Sequence, residues 1–130
     1  MHKIEKTNFG YKLMFGDFIN ADEMKKWVDE SRSVLTNAKS EFGIFVDMRT
    51  LKPLPPDSQK FMQEGQKLYK MKGMVRSVVI LDNPITTMQF IRIGKETGIY
   101  KWERYIDSSK TPDWEQVGID WVKSNIDPDK

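Results

Sequence analysis

"FGIFVDM", residues 42–48, and "VRSVVIL", residues 75–81, decide the fold. Each is a short, nearly continuous apolar run, the pattern of a β-strand covered on both faces, and the first is expected at the centre of a sheet. Between them Pro56 supplies a first helical residue, Gly73 a left-handed stop, and Phe61, Met62, Gly65, Leu68 and Tyr69 one inward stripe. The spacing predicts a helix over 56–72, and strand–helix–strand linkage favours parallel pairing with a right-handed crossover.

Working outward, "KIEKTN" (3–8) and "YKLMFGDFI" (11–19), separated by Phe9-Gly10, read as an antiparallel hairpin. Asn20 with Glu23 has capping-box spacing, and Met24, Trp27, Val28, Ser31, Leu35 and Ala38 form the apolar stripe of a first helix. Asn83-Pro84 opens a third helix that Gly98 closes, and a last strand lies around "WERYID" (102–107). Thr111-Pro112 then opens a fourth helix lined by Trp114, Val117, Gly118, Trp121 and Val122. The predicted order is ββαβαβαβα, an α/β mixed sheet with helices packed on it, in one domain spanning 1–130.

Composition excludes several functions. Lys+Arg 21 against Asp+Glu 19 leaves +2, too little bulk charge to attract nucleic acid. With no cysteine there is no disulfide, thiolate metal site or cysteine nucleophile. The charged start MHKIEK is not an apolar leader, and no run approaches the ~20 apolar residues of a membrane span. A soluble, cytoplasmic protein is expected, peripheral to the membrane if it meets one.

The strings FGIFVDMRTLKPLP, KGMVRSVVIL, TTMQF, KETGIY, ERYID and WEQVGIDW resemble those of the bacterial SpoIIAA-like family over nearly the whole chain. That family's fold is shared with STAS domains and related to CRAL-TRIO lipid carriers. The resemblance implies a non-enzymatic domain that binds apolar ligands or membranes, or, by analogy with STAS domains, makes regulated contacts with a partner protein.

In phosphorylatable STAS domains an Asp-Ser-Ser-Gly motif opens the second helix; here Asp57-Ser58 is followed by Gln59-Lys60. A helix amino end suits a phosphate, making Ser58 the phosphorylation candidate. The competing reading, that Pro56, Asp57 and Ser58 merely start a helix, is favoured. Asp107-Ser108-Ser109 spells the motif better, but follows the last strand and reads as a turn.

From Lys52 to Arg76 there are six basic residues against two acidic, a local +4 interleaved with apolar side chains. Helix two could meet an anionic membrane through Lys67 and Lys70, although Lys70 and Lys72 also complement a helix carboxyl end. Eight Met and fifteen aromatic residues (four Trp, four Tyr, seven Phe) could line an adaptable apolar pocket or simply fill a core. The expected ligand site is a groove between helix two and helix four, lined by Met62, Leu68, Tyr69, Met71, Trp114 and Trp121, with helix four as a movable cover. Self-association through that helix is a further expectation.

Asp47 and Asp82 sit near the carboxyl ends of two parallel strands, where α/β folds place ligands. An acid-based or metal site there is outweighed by structural roles: Asp47 pairing with Arg49 or Arg76, and Asp82 in a turn. The only histidine is His2, so no histidine triad or three-histidine metal site is available. Gly94-Lys95 lacks the rest of a phosphate loop. Neither an enzyme nor a bound cofactor or metal is expected.

Overall fold

The computed structural model describes residues 1–130. Strands β1 (His2–Lys6), β2 (Gly10–Phe15), β3 (Phe42–Asp47), β4 (Met74–Leu81) and β5 (Glu103–Asp107) form one sheet in the order β1-β2-β3-β4-β5. β1 and β2 are antiparallel; β2, β3, β4 and β5 are parallel. Helices α1 (Ala21–Val34), α2 (Pro56–Lys72) and α3 (Pro84–Thr97) are the three crossovers, and α4 (Trp114–Ser124) follows β5.

Local signals explain the helix ends. The Asn20 side chain accepts from the Glu23 amide, and that of Asn83 from the Ile85 and Thr86 amides. Gly73 (φ 120°) and Gly98 (φ 86°) close α2 and α3 in the left-handed region. Three expected boundaries move. The second strand stops at Phe15, because Asp17 turns to φ 60° and bridges to Leu51; Phe18 and Ile19 therefore lie outside it. The last strand starts at Glu103, after a 3-10 turn over Tyr100–Trp102, and α4 starts at Trp114 rather than beside Pro112.

The sheet separates two cores. Leu13, Phe15, Ile44, Val46, Val79 and Leu81 face α1, α2 and α3; Phe45, Val78, Ile80 and Ile106, on alternate positions, face α4. Close approach is set by small residues. A Cβ on Gly65 would stand 2.1 Å from the Trp27 ring, and one on Gly118 would stand 2.7 Å from the Phe45 ring. Thus α2 rests directly on Trp27 of α1, which stacks on Tyr69 (centroids 5.5 Å apart), while α4 rests directly on β3.

Candidate functional site

The sheet lies between the residues expected to line one groove. Met62, Leu68 and Tyr69 belong to the core under α1–α3, and Trp121 to the core under α4. A groove between α2 and α4 therefore does not exist, and these four side chains are internal packing. Met71 points to solvent instead, 73% exposed at the end of α2. Trp114 is half-buried, packed on Phe45 and capped by the Arg49 guanidinium 4.2 Å from its ring centroid.

Nor is α4 a loose cover. The Trp121 indole N–H donates to the Ser77 carbonyl (2.8 Å), and Arg76 donates to the Trp121 and Val122 carbonyls (2.8 and 3.2 Å). Arg104 forks onto Asp127 just beyond the helix (2.8 and 2.9 Å). These bonds satisfy carbonyls that a helix end leaves open, so lifting α4 would expose several polar groups at once.

Ser58 is 0% exposed, and its Oγ donates to the Ile19 carbonyl (2.9 Å). The hydroxyl considered as a phosphate acceptor is thus enclosed and engaged, tying α2 to the segment before α1. Pro56 marks the start of the helix, which has no side-chain cap, and Asp57 in the first turn accepts from the adjacent Ser58 amide (3.0 Å). The decoy is a turn, with Asp107 accepting from the Ser109 amide (2.9 Å).

Asp47 pairs with Arg49, not Arg76: the guanidinium donates to both carboxylate oxygens at 3.0 Å. Burial alone would raise the Asp47 carboxyl, but the Arg49 hydrogen bonds and charge override it and hold it below its ordinary value. Asp82 is exposed, and no three His, Cys, Asp or Glu side chains gather as a metal site.

The predicted headgroup residue Lys70 has neighbours the sequence did not suggest. At the edge of the sheet where β4 and β5 begin, Trp102 is 42% exposed with Lys70 and Lys101 against its ring, 6.0 and 5.0 Å from the centroid. Tyr100, 43% exposed, carries Lys95 at 4.9 Å. A surface groove of about 340 Å³ joins Lys70 and Trp102 to Glu41, Arg76 and Asn125. Lys67 is exposed on α2 one turn before Met71. The aromatics escaped sequence reading because Tyr100 falls between helix and strand patterns, and Trp102, expected to begin the last strand, lies instead in the 3-10 turn before it.

A second unforeseen constellation lies inside. Between the sheet and α1–α3 is a cavity of about 30 Å³, enough for a water molecule and far too small for a lipid chain. Its wall is mostly apolar, including Met48, Met62 and Met74, but contains Gln66, Ser77 and Glu103. Glu103 is 4% exposed; Ser77 Oγ and the Tyr105 hydroxyl lie 2.6 Å from its two oxygens. Burial pushes its carboxyl up to about 7 against the opposing effect of both hydrogen bonds. The sequence signal was faint: the strand ERYID is covered on both faces, so an inward acid does not break any alternation.

Comparison with models of known protein families gives no match, and no significant match is found among curated proteins. No helix is long and apolar enough to cross a membrane.

Proposed function

We propose that the chain is a SpoIIAA-like, non-enzymatic domain that docks on anionic membrane surfaces through the edge carrying Met71, Tyr100 and Trp102. The observation that carries this reading is Trp102, a half-exposed indole flanked by two lysines, one of which, Lys70, precedes the 73% exposed Met71 in α2. An indole with an apolar body and polar N–H favours the headgroup boundary, and lysines around it gain from anionic lipid. The opposite edge also exposes apolar side chains, Phe18, Ile85 and Met88. It mixes Asp17, Asp57, Asp82 and Asp107 with Arg49, Lys52 and Lys110, however, and has no exposed indole between lysines.

The small, closed cavity favours a membrane surface over a sequestered lipid as the apolar partner. A STAS-like phosphoswitch at Ser58 has less support, since its hydroxyl is enclosed.

Flotation with phosphatidylglycerol-containing vesicles tests the reading. Binding is expected to fall with salt and with Lys70→Ala plus Lys101→Ala, and to fall at every salt concentration with Trp102→Ala. No flotation of the wild-type chain at low salt would refute it. So would binding unaffected by all three substitutions.

A further inference from the structure

We propose that Glu103, Ser77 and Tyr105 form a proton-operated latch, which holds the end of α3 and the start of β5 closed over the internal cavity and releases them when the carboxyl ionises. The latch does not depend on membrane docking. Ser77 and Glu103 are register partners on β4 and β5, so their 2.6 Å hydrogen bond spans the two strands at the cavity wall. Tyr105, two residues along the same face, reaches α3: its hydroxyl lies 2.6 Å from Glu103 Oε1 and 3.3 Å from the Phe90 carbonyl.

That hydroxyl has one proton and cannot donate to both oxygens. With Glu103 protonated, the carboxyl donates to Tyr105, Tyr105 donates to Phe90, and Ser77 donates to the second carboxyl oxygen; every polar group is satisfied. When the proton leaves to water, Tyr105 must turn its hydrogen to the carboxylate, and the link from β5 to α3 is lost. The remaining charge has no counter-ion. Tyr69 and Gln66 of α2, Thr97 of α3, Tyr100 and Ser77 are its polar neighbours, and none is cationic. The nearby charged groups point elsewhere: Arg76 to the α4 carbonyls, Arg104 to Asp127 and the Glu103 main-chain carbonyl, Lys95 over Tyr100, Lys101 over Trp102, and Glu96 to Arg92 and Gln63. An isolated buried carboxylate is relieved chiefly by hydration; the cavity has room for about one water, and fuller hydration means opening the wall.

The fold offers a place to open. Gly98 and the 3-10 turn over Tyr100–Trp102 separate α3 from β5. Gly94 lets the Tyr105 hydroxyl lie against α3, since a Cβ there would stand 2.5 Å from it. The Tyr105 hydroxyl is therefore the polar contact across a wall otherwise closed by Phe90, Ile93 and Ile99.

Hydrogen exchange of the full chain, normalised for intrinsic rates, tests the latch. If the carboxyl titrates near 4.5 when open and at about 7 when closed, the open population rises ~tenfold from pH 6 to pH 8. Peptides covering 90–106 should then exchange about tenfold faster at pH 8 and, at both pH values, well ahead of α1, which opens only with the whole fold. Glu103→Gln keeps the closed pattern at both pH values, and Tyr105→Phe exchanges fast already at pH 6. Equal protection of the wild type at both pH values overturns the proposal, as does pH dependence that survives Glu103→Gln. Should Glu103→Gln fail to fold, carboxyl carbon NMR of the wild type decides. One glutamate titrating near neutrality is expected, and all carboxyls titrating below about 5 would sink the latch.

Discussion

Replacing Glu103 by glutamine should make the protein more stable above neutral pH, although it removes a charge that accepts two short hydrogen bonds. An unfolded carboxyl ionises near 4.5, while the folded one holds its proton to about 7. Below pH 4.5 both states are protonated and no penalty exists. Between the two values the unfolded chain ionises and the folded one does not, so stability falls as pH rises, by roughly 1.4 kcal/mol per pH unit at most. Above pH 7 the full penalty, about 3 kcal/mol, is in place. Glutamine has nearly the same shape, can accept from Ser77 and donate to Tyr105, and never ionises. Urea unfolding followed by tryptophan fluorescence at several pH values separates the cases. Relative to Glu103→Gln, the wild type should lose roughly 2–3 kcal/mol between pH 5 and pH 8. Parallel stability curves for the two proteins would show that Glu103 titrates normally, and the electrostatic reasoning would fail.

Gly65→Ala should destabilise the fold despite a gain in helix propensity of about 1 kcal/mol, because its Cβ would stand 2.1 Å from the Trp27 ring. Overpacking of a rigid indole costs about 1–3 kcal/mol, and near-ultraviolet dichroism should report the disturbed stack with Tyr69; a raised melting temperature would contradict the packing seen. Ser58→Asp should cost about 3 kcal/mol or more in urea unfolding, since it turns a buried carboxylate toward the Ile19 carbonyl. Wild-type stability in that variant would mean the side chain leaves its pocket readily, restoring the case for a switch there.

Much of the architecture was legible because its signals are local. The runs at 42–48 and 75–81 could only be covered strands, and Asn20, Asn83, Gly73 and Gly98 each mark a helix end by their own chemistry. What the sequence did not disclose was sidedness. The apolar stripes of α2 and α4 both read as inward, but inward toward different faces, so residues with the same pattern end on opposite sides of the sheet. Ser58 shows the same limit: its place in the first turn of α2, the favoured reading, was predictable, but its enclosure by the chain before α1 was not. Glu103 and Trp102 were read as part of one short strand, whose alternation does not say which residue turns inward and which leaves the sheet.

Sidedness nevertheless follows from topology once the strand order is known. β2, β3, β4 and β5 are laid down in one direction across the sheet, and right-handed crossovers then place α1, α2 and α3 on one face. α4 closes no crossover and takes the other. Since each helix leaves from a strand's carboxyl end, all four run toward the same edge, the one where the parallel strands begin. Their last turns carry Arg32, Lys70 and Lys72, Lys95, and Lys123, as helix dipoles favour. Three of the first turns carry Asp22 and Glu23, Asp57, and Glu115. A basic edge is therefore what this fold produces through helix-end electrostatics alone, and lysines by themselves are no mark of a membrane. Lys101 and Trp102 carry more weight: they lie in a 3-10 turn outside those helix ends, where no dipole argument accounts for an exposed indole between two ammonium groups. For that reason Trp102→Ala, at salt high enough to screen the lysines, is the substitution that separates membrane docking from ordinary helix capping.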